Sequence, residues 1–134
     1  MASEKMITAH VEENGESTYA VTISVSGHTL KCDESIEFGG GNLGPAPYDL
    51  LLAALGECTA MTVRWYAKQQ NWPLTKVEVK LSHQKIDKVD RFEKQVIVHG
   101  EALTEEQRKK LVDIAAKCPV QRTLQSDLVI NTLS

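Results

Sequence analysis

Cysteine is scarce in this chain, and the segments that would carry it into or through a membrane are missing. Three cysteines, Cys32, Cys58 and Cys118, occur among 134 residues. A secreted disulfide scaffold carries more, usually in even number. No two of them have the Cys-x-x-Cys spacing of a zinc knuckle or a thioredoxin-type centre. Residues 1–17 lack the apolar core of a signal peptide. The uncharged runs in the helical middle of the chain are far too short to span a bilayer. Basic charge is not in excess either: 15 Lys and Arg stand against 18 Asp and Glu, for a net charge of −3 and a pI near 5.8. No broad basic footprint for nucleic acid follows from that balance. Internal repeats, low-complexity tracts and interdomain linkers are absent. The expectation is one domain over residues 1–134 in the cytoplasm, with no nucleic acid and no membrane partner. In a reducing compartment, a thiol that forms disulfides is a catalytic or sensing one.

Metal and cofactor signals are equally thin. The four histidines, at positions 10, 28, 83 and 99, never stand four apart on a helix. His28 and His83 fall on apolar strand faces, where a hydrogen-bonded core histidine is expected. No Ser/His/Asp arrangement stands out. Residues 39–44, Gly-Gly-Gly-Asn-Leu-Gly, match Gly-x-Gly-x-x-Gly. A dinucleotide site needs that motif inside a βαβ unit with an acid about twenty residues on, and that position is Arg64. The glycines read as a flexible loop. No cofactor and no metal are expected.

What is present is a mixed pattern of elements. Ile7, Ala9 and Val11 alternate with polar residues, and Asn14-Gly15 is a hairpin signal. Tyr19, Val21, Ile23 and Val25 alternate, Ser26-Gly27 turns, and His28, Leu30 and Cys32 share the face of a third strand. Pro47 is a good first helical residue, and a helix is predicted from Tyr48 to about Gln70. Its residues 50–55 are apolar on every side, as in a buried central helix. Two strands follow, one carrying Val77, Val79, Leu81 and His83, the other running from about Phe92 to His99 with weaker alternation. Thr104-Glu105-Glu106-Gln107 is a capping box. It opens a helix that Pro119 interrupts, and a last strand is predicted at about Leu128–Leu133. Strands and helices are segregated, so the class is α+β.

Two cysteines draw the chemical interest. Cys58 lies mid-helix beside Leu51, Ala54, Thr62 and Trp65, and a small core hydrophobe is the simpler reading. Burial raises a thiol pKa, so a reactive Cys58 needs a cation nearby. Arg64 is roughly 120° away around the helix and poorly placed. If Pro119 opens a new short helix, Cys118 is its N-cap, where free N–H groups and the helix dipole lower a thiol pKa. Arg122, one turn on, is a candidate source of further charge. Cys32 reads as buried. Asp49, in the first turn of the long helix, complements its dipole and projects about 180° from Cys58.

Residues 47–60, from Pro47 through Cys58 to Ala60, and residues 117–124, Lys117-Cys118-Pro119-Val120-Gln121-Arg122-Thr123-Leu124, resemble the two signatures of the OsmC/Ohr family, the osmotically inducible and organic hydroperoxide resistance proteins. The sixty-residue interval between the cysteines is similar too. The resemblance implies antiparallel sheets wrapped around a long central helix, in an intertwined homodimer with sites at the subunit interface. It implies a thiol peroxidase: Cys58 would attack the distal oxygen of a hydroperoxide, organic ones preferred, and Cys118 would close a disulfide on the sulfenic acid. A dithiol reductant would reopen that disulfide. Arg122 would stabilise the thiolate and Asp49 would be an orienting acid. The family's peroxidases place an early arginine beside the first cysteine, whereas the first arginine here is Arg64, and the early lysines Lys5 and Lys31 lack a bidentate fork. Two other readings stand beside the enzyme: an OsmC-like dimer without significant peroxidase activity that binds a small apolar ligand, and a redox sensor.

Overall fold

The computed structural model describes residues 5–134. Three strands, β1 (Ala9–Glu13), β2 (Val21–Val25) and β3 (His28–Cys32), form an antiparallel sheet in the order β1-β2-β3. The helix α1 (Pro47–Gln70) follows, then an antiparallel pair, β4 (Lys76–Ile86) and β5 (Val89–His99). Two short helices close the order, α2 (Glu105–Ala115) and α3 (Pro119–Leu124). The chain separates into two compact units, one ending at Leu51 and one beginning at Leu52. Among the described residues no helix is long and apolar enough to cross a membrane.

In the first unit the turn between β2 and β3 is the two-residue one that Ser26-Gly27 implies. Both residues have positive φ, 50° and 80°, and Val25 faces His28. That handedness matches the twist of the flanking strands. Asn14-Gly15 acts differently. Glu13 pairs with Val21, so the connection runs over residues 14–20 and is not a two-residue turn. The Asn14 side chain caps it, accepting from the Glu16 N–H at 2.9 Å and donating to Thr22 Oγ1 at 3.2 Å. His28 is exposed rather than packed.

The glycine loop is not loose. Buried Asp33 gathers it: its carboxylate accepts from Ser17 Oγ at 2.8 Å and from the N–H groups of Glu34, Gly41 and Leu43. Burial pushes the Asp33 carboxyl up, but these donors outweigh it and hold the group below its ordinary range. A side chain at Gly44 would collide with the Lys31 carbonyl, so glycine is needed there for close backbone approach.

The second unit holds the apolar core. Val63, Ala67, Leu74, Leu103, Leu111 and Ala115 form one buried cluster, with Val77, Val96 and Val98 of the β4–β5 pair against it. β5 begins earlier than its sequence pattern suggests, because Asp87 and Lys88, at φ 51° and 66°, turn the chain in two residues without a glycine. α1 stops where Asn71 takes φ 57° and the Trp72 N–H returns to the Ala67 carbonyl at 2.9 Å. At the start of α2 both halves of the Thr104/Gln107 capping box are made.

Two further expectations fail. Residues 50–54 of α1 are half-buried or exposed instead of enclosed on every side, and Met61 and Trp65 are exposed further along. The last strand is also missing: residues 127–134 form no ladder, and Leu128, Val129, Ile130 and Leu133 are exposed. A strand needs a neighbouring edge to satisfy its N–H and C=O groups, and residues 127–134 have none among the described residues of this chain.

Candidate thiol site

The break at Pro119 builds the site. Proline has no N–H and cannot continue α2, but it suits the first position of a new helix. Cys118 thereby becomes the N-cap of α3, with extended backbone at φ −65° and ψ 143°, and its Sγ accepts from the Gln121 N–H at 3.4 Å. The neighbouring Val120 N–H points at Cys58 Sγ, at 3.5 Å. Two donors that a helix start leaves unpaired are thus shared out, one to each sulfur. Leu55, Cys58 and Cys118 form a buried cluster lined by Leu81, Phe92, Val120 and Leu124. Both cysteines are free, and the two lie together in this cluster. Cys118 is fully buried, whereas Cys58 is 7% exposed.

A lysine completes the cluster. Lys94 sits on β5 opposite Leu81 of β4. Phe92, Lys94, Val96 and Val98 occupy one face of the strand, so a cation interrupts an otherwise apolar row. Lys94 Nζ donates to Thr59 Oγ1 and to the Ala115 carbonyl, each at 2.8 Å, and lies 3.9 Å from Cys118 Sγ. Its three N–H bonds therefore have three acceptors. Thr59, one residue after Cys58, contacts both sides: its hydroxyl is 2.7 Å from the Leu55 carbonyl and 3.5 Å from Cys118 Sγ.

The electrostatics are asymmetric. Burial pushes the Cys58 thiol up, the Val120 N–H and the Thr62 hydroxyl draw it down, the adjacent Cys118 sulfur pushes it up, and the net direction is upward. Burial pushes Cys118 up as well, but Thr59, the Gln121 N–H, the Lys94 ammonium and the Cys58 thiol together hold it below the ordinary thiol range. Burial draws Lys94 down, and the two sulfurs pull it back toward the charged form.

The other residues singled out from the sequence lie elsewhere. Arg122 is exposed in the last turn of α3, and its side chain makes no hydrogen bond or ion pair among the described residues. The ammonium beside Cys118 is that of Lys94. Asp49 Oδ2 accepts from the Ala46 N–H at 2.9 Å, a local bond at the helix start. Arg64 holds the Leu74 carbonyl at 2.8 Å. Lys31 pairs with Glu16 at 2.8 Å, and Cys32 is buried at the end of β3. His83 bonds to Asp90 at 2.9 Å and stacks obliquely on Phe92. Among the described residues no group of three or more His, Cys, Asp or Glu gathers to hold a metal ion. The sequence did carry a signal for Lys94: a lysine at the buried parity of a strand whose other members are Phe92, Val96 and Val98.

The sequence pattern of the family described as OsmC-like protein matches residues 39–132, and the chain belongs to that family. An OsmC-like protein from Mycoplasma pneumoniae has a similar fold, with a TM-score of 0.77 at 19% identity over 92% of this chain and 89% of that one. The organic hydroperoxide resistance protein OsmC from Legionella pneumophila superposes with a TM-score of 0.67 at 18% identity, over 92% of each chain. The organic hydroperoxide resistance protein OhrB of Bacillus subtilis gives 0.64 at 18% identity, over 93% of this chain and 94% of that one. At these identities the likeness is one of fold. A comparison with curated proteins finds no match.

Proposed function

We propose that this protein is a thiol-dependent peroxidase that reduces hydroperoxides through the Cys58/Cys118 pair, with organic hydroperoxides preferred. One observation carries the reading: two free thiols in one buried cluster, with an ammonium 3.9 Å from one of them, packed among Leu55, Leu81, Phe92, Val120 and Leu124. An ammonium favours a thiolate, and an apolar wall favours an alkyl or aryl peroxide over hydrogen peroxide. Oxidation at one sulfur beside a second thiol ends as a disulfide and spares the site from overoxidation. A dithiol then reduces it by exchange. The names of the Legionella and Bacillus proteins point the same way.

The working unit in this reading is a homodimer in the cytoplasm. The exposed side of α1 with Met61 and Trp65, and the apolar segment Leu128–Leu133, would both find cover on a second copy. The near-complete burial of both sulfurs also supports a second reading, a reversible disulfide switch without turnover.

The test is thiol loss on adding cumene hydroperoxide to the reduced protein, beside Cys58→Ser and Cys118→Ser. Rapid loss of two thiols per chain, abolished in either variant, is expected, with turnover once a dithiol is supplied. Loss no faster than that of free cysteine would end the peroxidase reading. Disulfide formation without turnover under any dithiol would favour the switch.

A further inference from the structure

The two sulfurs present a conflict that the peroxidase reading alone does not resolve. Cys58 is the cysteine that keeps some exposure, while Cys118 is fully buried. The donors, however, converge on Cys118: the Gln121 N–H at 3.4 Å and Lys94 Nζ at 3.9 Å, with the Thr59 hydroxyl, 2.7 Å from the Leu55 carbonyl, also 3.5 Å away. Cys58 receives the Val120 N–H, at 3.5 Å, and besides it only the Thr62 hydroxyl draws its pKa down. A sulfur ringed by donors with a cation beside it is built to be the anion, and its partner to carry the proton. The less buried cysteine is thus the protonated one, and the ionised one is the cysteine without exposure.

We infer that Lys94 and Cys118 rest as an ammonium–thiolate pair, and that the Cys118 sulfur, besides closing the disulfide, is the base that deprotonates Cys58. The inference rests on the peroxidase reading and assigns its missing activating charge to Lys94. The proton crosses between the two clustered sulfurs, so the negative charge moves from one to the other and stays beside Lys94, whose ammonium is stabilised by both sulfurs. The Cys58 thiolate attacks the distal oxygen of ROOH. The O–O bond breaks, and the departing alkoxide takes back the proton now on Cys118, leaving as ROH. Cys118, again a thiolate, attacks the Cys58 sulfenic acid; the S–S bond forms and hydroxide leaves. Lys94 gives that hydroxide a proton, and its pull toward the neutral form on burial suits the step. The pair loses two electrons, and the peroxide becomes ROH and water. Beyond Cys58 on α1, Lys94 on β5 and Cys118 ahead of α3, no titratable side chain among the described residues hydrogen-bonds to either sulfur.

This division of labour differs measurably from one in which Cys118 only resolves. A purely resolving thiol is not needed for the first step, so its removal leaves the rate of Cys58 sulfenic acid formation unchanged. Here the rate falls. In a Cys32→Ser background, Cys118→Ala is expected to slow dimedone-trapped sulfenic acid formation at Cys58 by roughly 100-fold, the scale of a general base. Lys94→Met is expected to slow it similarly, and Lys94→Arg to restore most of the rate. A peroxide-free measurement accompanies these: thiolate absorbance at 240 nm against pH. One thiolate below the ordinary cysteine range is expected in Cys58→Ala and lost in Cys118→Ala and Lys94→Met, with circular dichroism reporting that each variant is folded. An unchanged rate in Cys118→Ala overturns the inference, as does a low-pH thiolate that disappears with Cys58 and survives without Cys118. A titration as expected with no peroxide reaction in any form, wild type included, would remove the peroxidase reading and the base role while leaving the ammonium–thiolate pair in place.

Discussion

At the scale of single residues, most of what holds the site and its surroundings is polar and local. Asp33 ties the chain at Ser17, Glu34, Gly41 and Leu43 with one carboxylate. Its pKa is depressed in the fold, so its contribution to stability is fully present above the unfolded value of about 3.9. That contribution is lost as pH falls through the lower folded value. Urea unfolding of wild type should therefore weaken in this acid window. Asp33→Asn should be the less stable protein at pH 7, and its disadvantage should narrow in acid. A disadvantage that is the same at every pH would show that the charge is not what matters. Gly44 is constrained by space, since any Cβ there meets the Lys31 carbonyl. Gly44→Ala is expected to cost about 1–3 kcal/mol, the usual range for forcing atoms into a filled site, read as a shift in urea midpoint at unchanged slope. Lys94 is the residue whose meaning lay deepest. Its strand parity placed it among apolar neighbours, yet only the fold shows that Ala115, Thr59 and Cys118 converge on it.

At the scale of elements, helix signals were more legible than strand signals. Pro47, the Thr104 capping box and Pro119 each mark a helix start, and each helix begins there. Those signals work because a cap or a proline acts within one turn of chain. The start of β5 was not legible, because Asp87-Lys88 has no glycine to advertise a left-handed turn. Lys88 at φ 66° carries a steric penalty of about 1 kcal/mol that glycine avoids. Lys88→Gly is thus expected to stabilise the protein by roughly 0.5–1 kcal/mol, Asp-Gly being a favoured pair for this turn. Loss of stability in that variant would mean that the Lys88 side chain makes a contact worth more than the strain. The interval between the cysteines likewise acquires its sense only through elements: α1 carries one sulfur, the α2–α3 break carries the other, and β4 and β5 supply the apolar wall.

At the scale of the whole molecule, the exposed apolar surface is the main clue. Ile36, Phe38, Met61, Trp65, Val129, Ile130 and Leu133 are all more than half exposed, an arrangement that invites association. The proposed homodimer predicts sedimentation at about twice the 14.8 kDa chain mass. Deleting residues 128–134 should shift that equilibrium toward monomer. A wild-type protein that sediments as a monomer at micromolar concentration would remove the dimer, and with it the expected partner for the missing last strand. The resemblance noted in residues 47–60 and 117–124 is matched by the family assignment over residues 39–132.

Read alone, the sequence carried the α+β class, the helix starts at Pro47 and Thr104 and the family resemblance, and it made Cys118 an N-cap on the condition that Pro119 opens a helix, because each depends on short-range chemistry or on a motif a few residues long. It offered Arg122 as a candidate cation and Asn14-Gly15 as a hairpin turn, whereas Arg122 is exposed and the connection runs over residues 14–20. Long-range pairing decided those matters. Which cation reaches a buried sulfur depends on the register that sets Lys94 opposite Leu81, and on the break that turns Cys118 toward α1. Neither is encoded in neighbouring residues; both are settled when distant apolar faces find one another and the polar groups caught between them must be satisfied.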